Sequence, residues 1–163
     1  MENNKEYQEW LETVSDDGLE LENVPFDLRT YEMCFEAIND HSGALQYVPD
    51  EMKTQQLCEL AVSNYGLGLQ YVPEELITKE LCELAVAKNG WVLGYVPENL
   101  KTLEMCELAV EKNGNALEYV PDKLKTKELC EVAVSKSAWA IEFVPEDLRT
   151  FEISGIAVAN EDW

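Results

Sequence analysis

The chain has 163 residues, of which 12 are basic and 33 acidic, for a formal net charge of −21. The length allows a sizeable core, and the charge argues against direct contact with nucleic acid or an anionic membrane, both of which are polyanions. No apolar run reaches the length of a membrane span, and five cysteines at wide, equal steps fit neither a disulfide framework nor a zinc site.

The chain opens on Met1-Glu2-Asn3-Asn4-Lys5-Glu6, without the basic-then-apolar pattern of a signal peptide. Together with the unpaired cysteines this predicts a reduced, cytoplasmic protein. Tyr7, Trp10, Leu11 and Val14 recur at helical spacing, so residues 1–17 are predicted as an amphipathic capping helix ahead of a repeat array over residues 18–163. The array announces itself by period. Pro25, Pro49, Pro73, Pro97, Pro121 and Pro145 stand 24 residues apart, and Cys34, Cys58, Cys82, Cys106 and Cys130 keep the same step. A fixed period of this size marks stacked repeats, each packing only on its neighbours.

Each repeat begins its longer part at a threonine: Thr30, Thr54, Thr78, Thr102, Thr126 and Thr150. A threonine hydroxyl can accept an orphan backbone N–H at a helix start, and Glu80, Glu104 and Glu128 in the following turn suit the dipole. An apolar face follows, such as Leu81, Cys82, Leu84, Ala85 and Val86. Then come Lys88, Lys112 and Lys136, and Gly66, Gly90 and Gly114, read as the C′ residues that end the helix. The shorter part carries Leu45, Leu69, Leu93, Leu117 and Ile141 as anchors, with Tyr47, Tyr71, Tyr95, Tyr119 and Phe143 two positions on. It is too short for a stable helix alone. The valine before each proline is steered away from the α region and ends it. A tight turn after the proline points Leu28, Met52, Leu76, Leu100, Leu124 or Leu148 inward. The fold class is therefore all-α: an α-solenoid of about six 24-residue repeats, each a short helix or 3₁₀ turn plus a longer helix, with divergent terminal caps.

The pattern Ala-Leu-x-Tyr-Val-Pro-x-x-Leu-Lys-Thr-x-x-Leu-Cys-x-x-Ala-Val-x-x-Asn-Gly resembles a short tandem repeat of bacterial proteins, classed as a domain of unknown function. The alternation of long and short helices is also similar to leucine-rich-repeat-variant solenoids. The likeness covers roughly residues 18–159. It implies a right-handed solenoid and a scaffold on which different binding faces are built.

No nucleophile–base pair, phosphate loop or metal-spaced cluster appears, so neither catalysis nor a cofactor is expected. The cysteines fall on the apolar face and read as small buried hydrophobes. The lone His41 stands at a helix end, where a cation is mildly favourable, and reads as a cap or surface residue. The surface signal is acidic. Glu59, Glu83, Glu107 and Glu131 repeat on the outer arc of the long helices, Glu80, Glu104 and Glu128 lie three residues earlier, and Asp50, Glu74, Glu98, Asp122 and Glu146 follow the prolines. Arg29, Lys53, Lys101, Lys125 and Arg149 form one thinner basic column, broken at Ile77. The place after the glycine varies freely (Gly43, Leu67, Trp91, Asn115, Trp139, Trp163), which marks Trp91, Trp139 and the adjacent Tyr65 as anchors for a partner. Phe35 replaces the ladder glutamate, either sealing the cap against Trp10 or extending a binding edge. At the C-terminal end Phe151, Ile153, Ile156 and Val158 have no following repeat to cover them, which suggests a monomer or a dimer formed there.

These features predict a non-enzymatic binder of a basic protein, most concretely an immunity or inhibitor protein that neutralises a bacterial toxin such as a nuclease. The rivals are a nucleic-acid mimic that blocks a DNA- or RNA-binding protein, and a neutral repeat scaffold joining cellular proteins.

Overall fold

A computed structural model describes residues 2–160. The described residues are helical throughout, with no strand. Seven α-helices follow one another: α1 (Glu2–Asp16), α2 (Tyr31–Asp40), α3 (Gln55–Asn64), α4 (Lys79–Lys88), α5 (Leu103–Lys112), α6 (Lys127–Lys136) and α7 (Phe151–Ala159). From α2 to α7, consecutive helices are separated by a six-residue 3₁₀ helix, such as Gly90–Tyr95 or Gly114–Tyr119, and a three-residue one, such as Glu98–Leu100. The repeat is thus a helical solenoid unit of one α-helix and two 3₁₀ pieces.

Local chemistry explains each boundary. The hydroxyl of every repeat threonine accepts the backbone N–H three residues on, from Thr30 with Met33 (3.3 Å) to Thr126 with Leu129 (3.1 Å) and Thr150 with Ile153 (3.3 Å). The valines before the prolines are extended, with φ near −75° and ψ near 128° at Val120, and buried. The post-proline Leu and Met side chains are less deeply placed than expected. Leu28 is buried, but Met52, Leu76, Leu100, Leu124 and Leu148 are half-buried.

The glycines act differently from the expected C′ role. No described residue has a positive φ. The α-helices end instead on extended residues such as Asn113 (φ −152°, ψ 109°), and the glycine that follows opens the six-residue 3₁₀ helix. It is small because the next helix crosses there: a Cβ at Gly114 would lie 2.3 Å from the carbonyl oxygen of Ala133, and one at Gly90 2.4 Å from that of Ala109. Ser42 and Ala138 take this place in two repeats, so the demand is for small size, not for left-handed backbone.

Packing divides the chain into two compact units, Met1–Ala85 and Val86–Trp163. In the first, Leu21, Met33, Cys34, Ile38, Leu45, Leu57, Cys58, Val62 and Leu69 form the core, and α1 closes the stack against α2. Val14 of α1 is fully buried while Trp10 and, on α2, Phe35 are half-buried. In the second, Leu93, Cys106, Val110, Leu117, Cys130, Val134 and Ile153 do the same. Burying one leucine side chain stabilises by about 1.5–3 kcal/mol, too little for a repeat to stand alone, so stacking is what makes each core.

Candidate protein-binding surfaces

Within each unit the α-helices form one layer and the six-residue 3₁₀ helices another, since α-helices contact successive α-helices and short helices contact successive short helices. The acidic candidates all belong to the α layer. In the first unit Glu59, Glu80 and Glu83 are exposed, and in the second Glu104, Glu107 and Glu128 are exposed while Glu131 is half-buried. Three of the ladder glutamates have a helical neighbour one turn earlier. Gln55 donates to Glu59 (3.0 Å), Lys79 pairs with Glu83 (3.4 Å) and Lys127 with Glu131 (3.3 Å). Leu103 stands at the corresponding place before Glu107. Lys127 also reaches Glu152 at 2.7 Å; hydrogen bonds to Glu152 and Glu131 hold its amine above the usual lysine range, and the same contact lowers Glu152.

Four members of the basic column, Arg29, Lys53, Lys101 and Lys125, belong to the repeat junctions and are half-buried or deeper. Side chains of Lys53, Lys101 and Lys125 are only 11%, 9% and 9% exposed. Lys101 Nζ donates to the carbonyl of Tyr119 at the end of the next short helix (2.8 Å), where a cation complements the carbonyl dipoles. Arg29 reaches three carbonyls, those of Val24 (3.0 Å), Tyr47 (2.7 Å) and Glu22 (3.0 Å). Arg149, more exposed, donates to Val144 (3.1 Å). The post-proline acids meet these cations, as in Lys53–Asp50 (2.9 Å), Lys101–Glu98 (3.2 Å) and Lys125–Asp122 (2.9 Å), with the carboxylates on the solvent side.

The aromatic candidates sit on the short-helix layer, apart from the acidic ladder. Tyr65 and Trp139 are 53% and 74% exposed. Trp91 is 41% exposed but already engaged, its ring centroid 5.9 Å from that of Tyr119. Trp163 lies outside the described residues. Sequence reasoning missed a depression of about 230 Å³ in the first unit, bordered by Leu19, His41, Tyr47, Tyr65, Leu67 and Tyr71. Its signal was present in Gly43, the smallest residue of the variable series.

His41 takes the cap role expected of it: it ends α2, and its Nδ1 accepts the N–H of Gly43 at 3.1 Å and caps the short helix Ser42–Tyr47. All five cysteines are free and buried. At the last helix the expectation of an uncovered apolar face holds for Phe151 and Val158, 95% and 68% exposed, and for Ile156 in part; Ile153 is fully buried because it faces back into the stack.

A family model for a domain of unknown function (DUF4116) matches residues 30–77, 54–101 and 102–149, windows displaced by whole repeats. The chain belongs to the DUF4116 family. No curated protein and no solved structure matches it. The DUF4116 windows span the Thr-capped helices, the proline turns and the junction cations, which are the parts that build the repeat. They reach neither α1 nor α7. Among the described residues of this DUF4116 chain no helix is long and apolar enough to cross a membrane.

Proposed function

We propose that the chain is a non-enzymatic protein-binding module that holds a basic partner against its acidic α layer, in its most concrete form an immunity or inhibitor protein for a basic bacterial toxin such as a nuclease. The observation that carries this reading is the unequal placement of charge. In the second unit Lys101 and Lys125 are turned into the junctions, each 9% exposed, whereas Glu107 and Glu128 face solvent. Rows of carboxylates complement a cleft built to hold phosphates, and such complementarity speeds encounter and rejects wrong partners.

The test is the association of the purified chain with a panel of purified cationic nucleases, followed by stopped flow at low and physiological salt and by nuclease assay. One nuclease is expected to be bound and inhibited, with association slowed about tenfold or more by Glu104→Lys, Glu107→Lys and Glu128→Lys together. Equal capture of every cationic protein would replace this reading with a nucleic-acid mimic. Binding indifferent to both salt and the reversals would point to a scaffold that uses other faces.

A further inference from the structure

The residue after the glycine place decides what fills the short-helix layer. In the second unit it is Trp91, stacked at a 59° tilt against Tyr119 of the next short helix. Two repeats earlier the same place is Gly43, and the ring that corresponds to Tyr119 is Tyr71. With no side chain at Gly43 the surface stays open, and the depression bordered by Leu19, His41, Tyr47, Tyr65, Leu67 and Tyr71 results. Its walls are apolar yet wet, with Leu19 37% exposed as well as Tyr65.

A second depression of about 460 Å³ adjoins it, sharing Gln46, Gln70 and Tyr71 and bordered by Asp50 and Glu75. Lys53 also lines it, but its amine is turned inward and paired with Asp50. An aromatic recess therefore opens beside one bordered by Glu75 and by the Asp50–Lys53 pair, within a single compact unit.

We propose that these adjoining depressions are a docking site for a segment of a partner protein that carries an aromatic side chain next to a basic one. The ring enters among Tyr47, Tyr65 and Tyr71, in the place that Trp91 fills against Tyr119, and the basic group lies towards Glu75. Leu19 and Leu67 suit a ring better than a bare cation, and aromatic pairs in tilted contact are attractive beyond their burial. The Glu75 carboxylate selects the charge of the neighbouring residue. The proposal rests on the reading of the chain as a binder of a basic partner and adds to the α layer a second contact on the short-helix layer.

The experiment titrates the isotope-labelled full chain with the blocked tetrapeptide Gly-Trp-Arg-Gly at physiological salt and follows amide shifts by NMR. Shifts are expected at Gly43, Tyr47, Gly68 and Tyr71, with affinity falling about tenfold when the peptide tryptophan becomes alanine and severalfold when its arginine becomes citrulline. Gly43→Trp, which supplies the chain's own indole, should abolish the shifts. A Cβ there lies 3.0 Å from the His41 ring, which must turn slightly, so Tyr71→Ala is the second variant, with thermal unfolding reporting that both are folded.

Equal binding of the alanine peptide, shifts confined to the glutamates of α3 and α4, or undiminished binding by both folded variants would overturn the site. Loss of the peptide site while cationic nucleases are still captured in a salt-dependent way would remove this docking site and spare the acidic-module reading. The reverse pattern, a peptide bound as described with capture insensitive to salt, would keep the docking site and remove the broader reading.

Discussion

Burial pushes the thiols of Cys34, Cys58, Cys82 and Cys106 up to about 11 from 9.0, and raises Cys130 in the same direction. The desolvated thiolate is the costly form, so the folded chain keeps these protons where the unfolded chain gives them up. The stabilisation this represents is complete below pH 9 and is lost as pH rises towards 11. Chemical denaturation between those pH values should therefore show stability falling, and Cys106→Ala should make the fall shallower. An unchanged slope would mean that the thiols open to water without unfolding. At neutral pH the same burial predicts that a thiol-specific reagent reacts with none of the five until denaturant is added.

Between helices, the close approach at Gly114 sets the spacing of successive α-helices. Gly114→Val should destabilise by about 1–3 kcal/mol, because the crowding atom is the backbone oxygen of Ala133, which cannot rotate away. Lys101→Met should destabilise through a different loss, leaving the Tyr119 carbonyl without its donor and Glu98 without its cation, at about 1–3 kcal/mol by urea unfolding. The elements themselves were legible. Threonine caps, the cysteine and alanine stripe and the valine–proline stops are local signals, and each stands where its pattern placed it. What the pattern could not convey was the third dimension of the junction. A glycine at a helix end signals a left-handed residue or a close crossing equally well, and only the neighbouring Ala109 or Ala133 decides between them. Arg29 and Lys101 likewise read as surface charge until the carbonyls of Tyr47 and Tyr119, 18 residues on, come within reach. The aromatic recess was hidden for the same reason, since it consists of a missing side chain at Gly43 and its borders come from three successive short helices.

Over the whole molecule, a net charge of −21 opposes compaction. Some ladder carboxylates have a helical partner, as Glu83 has Lys79, but the chain carries 33 acidic side chains and 12 basic ones. Raising sodium chloride from about 10 mM to about 150 mM shortens the Debye length from ~30 Å to ~8 Å. The melting temperature should rise over that range and then level off. A flat response would show that repulsion along the α layer contributes nothing measurable to stability.

No described residue needs a positive φ, and every junction is built from extended and helical backbone that ordinary residues adopt. The reach of this is genetic. A turn that depends on a strained residue loses its shape when that residue drifts in a copied segment, but a junction made of common conformations survives many substitutions. In-frame duplication or loss of one coding repeat then changes the length of the array without disturbing the neighbours' backbone. The place after the glycine is free to diverge in each new copy, which is how one lineage of repeats can come to hold an indole at Trp91 and an empty recess at Gly43.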